Sequence, residues 1–265
     1  MMNSMDFLKY MAVKFLPSPA LFFVKKHYYA YVIRSFWEPD AEPIKSLVKP
    51  GDFVIDLGAN IGWYSNVLAG LVGKEGRVYS IEPIPDTFRL LSTIIKKLGL
   101  QNIQPLNYAI SEKDGSAIME IPLHAYGGKN FYMARIISRK ESGGSAKQHT
   151  VSLRSLDSLF LDVADKVTFI KCDVEGHELA VIKGASGFFQ KTKPAMFIEV
   201  GGSPEKSGSS ASELFDILKQ YGYSAYFYDG QKLQARFPGH WSVNYFFLQP
   251  AHLKQVFQML KNQEA

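Results

Sequence analysis

Phe53-Val-Ile-Asp-Leu-Gly-Ala-Asn-Ile-Gly62 is an apolar run that ends in an acid and then turns on two glycines. The run suits a buried strand, and Gly58 and Gly62 supply a tight turn into a helix, so the stretch reads as a strand delivering a ligand-binding loop. A second apolar run, Arg77-Val-Tyr-Ser-Ile-Glu82, also ends in an acid, 26 residues past Asp56. In doubly wound folds an acid closing the second strand, about 20 residues beyond the glycine turn, meets ribose hydroxyls. Asp56 and Glu82 together predict a cofactor that contains a nucleoside.

The glycine pattern narrows that cofactor. A dinucleotide fingerprint requires Gly-x-Gly-x-x-Gly so that backbone can approach a pyrophosphate, and here Asn60 and Trp63 stand in place of the second and third glycines. A diphosphate fits poorly. S-adenosylmethionine keeps the adenosine but carries a sulfonium and an amino-acid tail, which suits an acidic and an amide side chain in the loop.

A chain of 265 residues can bury one large core, and α/β units of this size are commonly single domains. The net charge of +5 is modest, and the basic residues are scattered, so nucleic-acid binding is not expected. The single cysteine, Cys172, lies inside the apolar run Val167 to Cys172 and reads as a small buried hydrophobe. Neither a secretory signal nor an apolar run long enough to span a bilayer is read here, which makes the cytoplasm the expected location.

From residue 53 onward strands and helices alternate: strand 53–57, helix 62–72, strand 77–81, helix 85–98, strand 103–108. This rhythm predicts a parallel sheet flanked by helices. Residues 112–155 break it, with Ser116–Ile121 and His149–Leu153 reading as paired edge strands around a long polar loop over 122–147. Strand 167–172, helix 176–190 and strand 195–200 resume the pattern. A mobile Gly/Ser-rich loop over 201–210, helix 211–221, strands 223–228 and 243–248, and a terminal helix over 251–265 follow. Upstream, 38–48 reads as a short helix closed by Pro50-Gly51. Residues 5–37 mix aromatics with Lys9, Lys14, Lys25, Lys26 and Arg34 and predict one or two amphipathic helices broken by Pro17 and Pro19. The preferred reading of this N-terminal segment, 1–49, is a helical cap on the domain over 50–250. Peripheral membrane contact is the competing one.

Ile170-Lys-Cys-Asp-Val-Glu-Gly-His-Glu178, taken with Asp56 to Gly62, Ile81-Glu82-Pro83 and Leu156-Asp157, resembles the FkbM-type methyltransferases over roughly residues 50–200. Four motifs in one order are far more specific than a lone glycine loop. The resemblance implies a class I, Rossmann-like, three-layer α/β fold whose mostly parallel sheet has seven strands, the last antiparallel. It also implies S-adenosylmethionine as cofactor and O-methylation of a hydroxyl on a sugar, glycan or polyketide-type metabolite.

Ligands of open α/β sheets bind beyond the carboxyl ends of the strands. Asp56, Gly58, Asn60 and Gly62 are therefore expected to hold the methionine portion of the cofactor, with Glu82 on the ribose. Asn107, Ala109 and Ser111 are expected to border the adenine. Asp173, Glu175 and His177 follow the fourth strand and are the candidates for chemistry, because methyl transfer to a hydroxyl needs a group that takes its proton. Asp173 has a second reading as a cap on the next helix, and Glu178 reads as structural. A divalent cation such as Mg²⁺ is left open, with Asp173, Glu175 and Glu199 as its ligands if one binds. A noncatalytic adenosine-binding scaffold, a methyltransferase for protein or amine acceptors, and aminopropyl transfer are the competing functions.

Overall fold

The computed structural model describes residues 11, 14–35, 37–121, 135–137 and 147–263. Twelve strands are described: β1 Phe53–Leu57, β2 Arg77–Ile81, β3 Ile103–Leu106, β4 Ala109–Ile110, β5 Gly115–Ile121, β6 Arg135–Ile137, β7 Lys147–Arg154, β8 Val167–Cys172, β9 Ala195–Glu199, β10 Ser224–Tyr228, β11 Leu233–Ala235 and β12 Asn244–Leu248. Eight of them form one sheet in the order β11-β10-β12-β9-β8-β1-β2-β3. β1 pairs in parallel with β2 and β8, and the parallel pairing continues outward to β3 on one side and β9 on the other. β12 runs antiparallel to both β9 and β10.

The central strands are near-continuous apolar runs because helices cover both their faces. Alternation along β1 shows it: Ile55 and Leu57 join a core with Phe160, Phe188, Phe189 and Leu214, while Val54 joins another with Leu68, Val72, Leu91 and Ile95. The chain leaves β1 toward β2 and β3, then returns to β8 on the opposite side. β1 and β8 thus flank a topological switch point, the crevice where such sheets bind ligands.

The remaining four strands make a second sheet, β4-β7-β5-β6, in which β5 and β7 pair antiparallel from Gly115↔Leu153 to Ile121↔Lys147. Its apolar face, Met119, Ile121 and Val151, packs with Ala109 and with Ile84, two residues past Glu82. A covering wall is thereby placed beside the end of β2. Asp157 has a structural task nearby: its carboxylate accepts the backbone N–H groups of Gly187 at 2.9 Å and Phe188 at 2.7 Å.

Several expectations require correction. The principal sheet has eight strands rather than seven, because Leu233–Ala235 adds an edge to β10. The strand expected over 103–108 stops at Leu106. The edge strands around 112–155 belong to a separate sheet, and most of the loop over 122–147 lies outside the described residues, apart from Arg135–Ile137, which is a strand. The single helix over 176–190 is two, Glu178–Lys183 and Ser186–Lys191. Gly184 separates them, and a Cβ there would stand 2.2 Å from the Ser111 carbonyl oxygen. The helix expected over 38–48 is a 3-10 turn, Pro39–Ala41, and one helical turn, Ile44–Leu47. Pro19 does not break a helix: it sits in the first turn of Ser18–Val32, where its missing N–H costs nothing. Within the loop over 201–210, Glu205 accepts hydrogen bonds from the Arg236 guanidinium at 3.0 Å and from Gly239 N–H.

Candidate active site

At the switch point a cavity of about 410 Å³ opens beyond the carboxyl ends of β1, β2 and β8. That size suits a small-molecule site. Asp56, Gly58, Asn60, Glu82, Ala109, Asp173, Glu175 and His177 all line it. Gly62, Asn107, Ser111 and Glu199 lie outside that lining.

Gly62, Asn107 and Ser111 each have a visible structural contact. Gly62 has φ 96° and caps the helix Trp63–Val72, and a Cβ there would meet Leu91 at 2.8 Å. The Asn107 amide donates to the carbonyls of Glu82 at 2.8 Å and Pro83 at 3.0 Å, which fixes the chain after β2. Ser111 Oγ is 2.9 Å from His177 Nε2. Glu178 is buried and accepts Gly176 N–H at 2.9 Å, as its structural reading requires. Gly58 joins the two loops of the site: with φ +74°, a Cβ would lie 1.8 Å from the Asp173 carbonyl oxygen. The close approach demanded of this glycine is therefore to the β8 loop.

Asp173 does not cap the following helix, which begins at Glu178 with His177 before it. Its N–H donates to the Leu57 carbonyl at 3.1 Å, and its carboxylate accepts from Lys171 Nζ at 3.0 Å. Lys171 is a residue the sequence reading passed over. It is buried on β8, lines the cavity, and lies 3.9 Å from Asp56 Oδ1. Burial works against its charge, but Asp173 and Asp56 outweigh that and hold its pKa above the usual value. The detectable signal was one Lys inside an apolar run, because an unpaired ammonium is almost never fully buried. Trp63, Tyr64, Tyr108, Met119 and Ile136 also line the cavity and come from segments whose convergence no local pattern announces.

Asn60 and Glu175 are the non-glycine residues with positive φ among those described, at 50° and 54°. Both line the cavity. Left-handed backbone in a side chain as long as Glu costs about 1–3 kcal/mol and concentrates at functional sites. Glu175, at the exposed rim, is pushed up to about 7 by partial burial of its carboxyl and then by the carboxylates of Asp173, Glu199 and Glu178. Burial lowers the His177 pKa and favours a neutral imidazole at neutral pH. Among the described residues, no three His, Cys, Asp or Glu side chains form a group that could hold a metal ion, so Asp173, Glu175 and Glu199 are not gathered into a ligand shell.

Two buried carboxylates show what a ligand must offer. Asp56 Oδ2 accepts the Ser65 hydroxyl at 2.6 Å, and Ser80 donates to Ser65 at 2.8 Å, yet Oδ1 is buried without a hydrogen-bond partner. An ammonium donor would complete it. Glu82 takes one backbone N–H on each oxygen, from Asn60 at 3.0 Å and Ile84 at 2.9 Å, which fixes its plane and leaves a lone pair on each oxygen for a diol. An amino-acid ammonium and a ribose diol are the two ends of S-adenosylmethionine's polar surface.

A family model described as the methyltransferase FkbM domain matches residues 56–225. The chain belongs to the FkbM methyltransferase family. S-adenosylmethionine is the cofactor of this class, and the residues present fit it. Among relatives, the hexuronic acid methyltransferase AglP of Haloferax volcanii is 31% identical over 140 residues, 52% of each chain. A protein-L-isoaspartate O-methyltransferase of Methanococcus aeolicus is 39% identical over 57 residues, 22% of this chain and 26% of that one. The chain thus spans about a quarter to a half of the length of these relatives. The crystal structure of methyltransferase FkbM from Methylobacillus flagellatus KT aligns with a TM-score of 0.46 at 18% identity, covering 91% of this chain and 57% of that one. Asp173, Val174 and Glu175, within the matched range, form the cavity wall after β8.

Glu82 gives this FkbM site a measurable pH signature. Burial pushes its carboxyl up to about 7 from an ordinary 4.5, with the Ile84 and Asn60 amides opposing the rise. A folded-state pKa raised in this way favours the fold at low pH, and that contribution is lost as pH climbs from about 4.5 through about 7. With Glu82 on the ribose, the hydroxyls would donate to the ionised form, and cofactor affinity should increase as pH rises through about 7 and level off above it. Glu82→Gln should flatten the profile and cost about 1–3 kcal/mol of binding. Calorimetry across this range checks both, and a pH-independent wild-type affinity would remove Glu82 from ribose binding.

Proposed function

We propose that the protein transfers a methyl group from S-adenosylmethionine to a hydroxyl oxygen of a sugar, glycan or similarly hydroxylated metabolite. The observation that carries this reading is the convergence of Asp56, Glu82 and Asp173 on one cavity, two carboxylates suited to the cofactor and a third beside the space left for an acceptor. When bound, the cofactor supplies a methyl carbon on a positively charged sulfur, open to attack from the side opposite that sulfur. Asp56 takes the ammonium and Glu82 the ribose hydroxyls, which fixes the donor's direction. Asp173, held by Lys171, orients the acceptor hydroxyl and accepts its proton as the oxygen–carbon bond forms and the sulfur–carbon bond breaks. His177 and Glu175 complete the acceptor side of the mouth. Both are competent to hydrogen-bond a polyol.

The acidic rim favours a neutral acceptor. Asp173 and Glu175 stand together at the mouth, and Glu199 is close enough that Asp173, after burial, raises its pKa. A substrate carboxylate entering there would meet like charge, whereas a hydroxyl would not. AglP's hexuronic acid offers both groups, so it supports a sugar-type acceptor without choosing between them. Incubating the full chain with methyl-labelled cofactor and a panel of mono- and oligosaccharides, polyols and peptides tests the proposal. Label in a carbohydrate fraction supports it, and label confined to peptide overturns the substrate class.

A further inference from the structure

The helix Ser18–Val32 is apolar on two sides. Its inner side, Phe22, Tyr29 and Ala30, continues into Ile33 and packs with Ile61, Leu90 and Ile94 of the domain. Phe23, Val24, Tyr28 and Tyr31 are 57%, 47%, 44% and 78% exposed. At 3.6 residues per turn these four fall within roughly 140° of arc, with His27 between them and its ring 4.3 Å from that of Phe23, so they share one outer face. Phe15 and Leu16, just upstream in the chain, are also exposed. A helix apolar all round is normally enclosed all round, and contiguous exposed apolar surface marks an interaction site.

Charge selects the occupant. From Phe7 to Trp37 the chain has no Asp or Glu but carries Lys9, Lys14, Lys25, Lys26 and Arg34. Lys26 Nζ lies 4.8 Å from the Phe23 ring centroid, and Arg89 of the neighbouring helix lies 4.6 Å from that of Phe22. Aromatic and aliphatic side chains edged by cations match the boundary of an anionic bilayer, where rings sit at headgroup depth and lysines reach the phosphates. A second copy of this chain is disfavoured, because a two-fold contact would set the two basic segments against each other. No helix among the described residues is long and apolar enough to cross a membrane, so the contact lies on the surface.

We propose that the outer face of Ser18–Val32 docks the protein on an anionic membrane surface. The inner side of the same helix shares its cluster with Trp63, a wall of the cavity, so docking places the site about one helix diameter, roughly 10–12 Å, from the lipid.

Sedimentation of the full chain with vesicles of phosphatidylcholine alone, or containing phosphatidylglycerol, tests this at low and high salt. The wild type should bind anionic vesicles at least about tenfold more tightly than neutral ones and release in high salt. Phe23→Ser/Tyr31→Ser should weaken binding about tenfold or more while leaving the melting temperature and cofactor affinity unchanged, since both residues are exposed. A wild type that stays in solution with anionic vesicles would overturn the proposal, as would a double variant that sediments equally well. A dimer seen by light scattering and abolished by the double variant would assign the face to a second copy instead.

Discussion

Asp173→Asn is expected to lower turnover by about 10²–10⁴-fold while the fold and cofactor affinity stay near wild type. The substitution keeps the shape of the side chain and the backbone bond from Asp173 N–H to Leu57, so the β8 loop retains its path. Lys171 keeps a carboxylate nearby in Asp56, at 3.9 Å. What is lost is the negative charge and basicity facing the acceptor, which matter only when the hydroxyl gives up its proton. Single-turnover rates with saturating cofactor isolate that step from binding. The same assay separates a direct base from a cation-holding role: a direct base predicts a wild-type rate indifferent to chelator, whereas loss on chelation and recovery with Mg²⁺ would assign Asp173 to a metal. Wild-type turnover in the Asn variant would remove Asp173 from the chemistry.

Lys171→Met is expected to destabilise the protein by about 3–5 kcal/mol at neutral pH, the usual cost of taking one partner from a buried ion pair. The methionine fills similar volume, so the effect is electrostatic rather than a cavity. It leaves Asp56, fully buried and already raised in pKa chiefly by burial, with Asp173 nearby and without the Lys171 ammonium that offsets both. Protonating Asp56 relieves the conflict. Raising its folded-state pKa further means that the variant should recover stability as pH falls and lose it as pH rises, so its deficit against wild type narrows in acid. Urea denaturation across pH reads this directly. A deficit under about 1 kcal/mol, or one that widens in acid, would mean that Lys171 does not neutralise this pair.

The central strands and the acids that end them were legible because buried parallel strands are unbroken apolar runs, and β1, β2 and β8 fall at the boundaries read from the sequence. Leu233–Ala235 was not, since three residues with no apolar run carry no periodic signal and exist as a strand only by pairing with β10. Gly184 interrupts an otherwise helical pattern for a reason lodged in another segment, the Ser111 carbonyl packed against it. Among site residues, Asp56, Gly58, Asn60 and Glu82 were readable from position after a strand. Asn107 and Gly62 had the same positional signal yet point their chemistry at backbone and packing, because proximity to a strand end does not specify direction. Lys171 was misjudged by counting it as part of an apolar strand, although a buried cation announces an acidic partner in space. The pairing of Ser116–Ile121 with His149–Leu153 was legible, but that Met119 and Ile136 reach the cavity was not, because the second sheet's place beside the end of β2 is set by packing between distant segments.

The most direct measurement is the chemical form of the methylated product. With isotopically labelled cofactor and an equimolar mixture of a neutral and a uronic-acid-containing oligosaccharide, the label should appear in a methyl ether, chiefly on the neutral acceptor. It should survive mild alkaline treatment, and Asp173→Asn should abolish it. A label released as methanol under the same treatment would identify a methyl ester. That transfer needs no proton acceptor and admits an anion to the acidic rim, and it would contradict both the acceptor chemistry and the role given to Asp173.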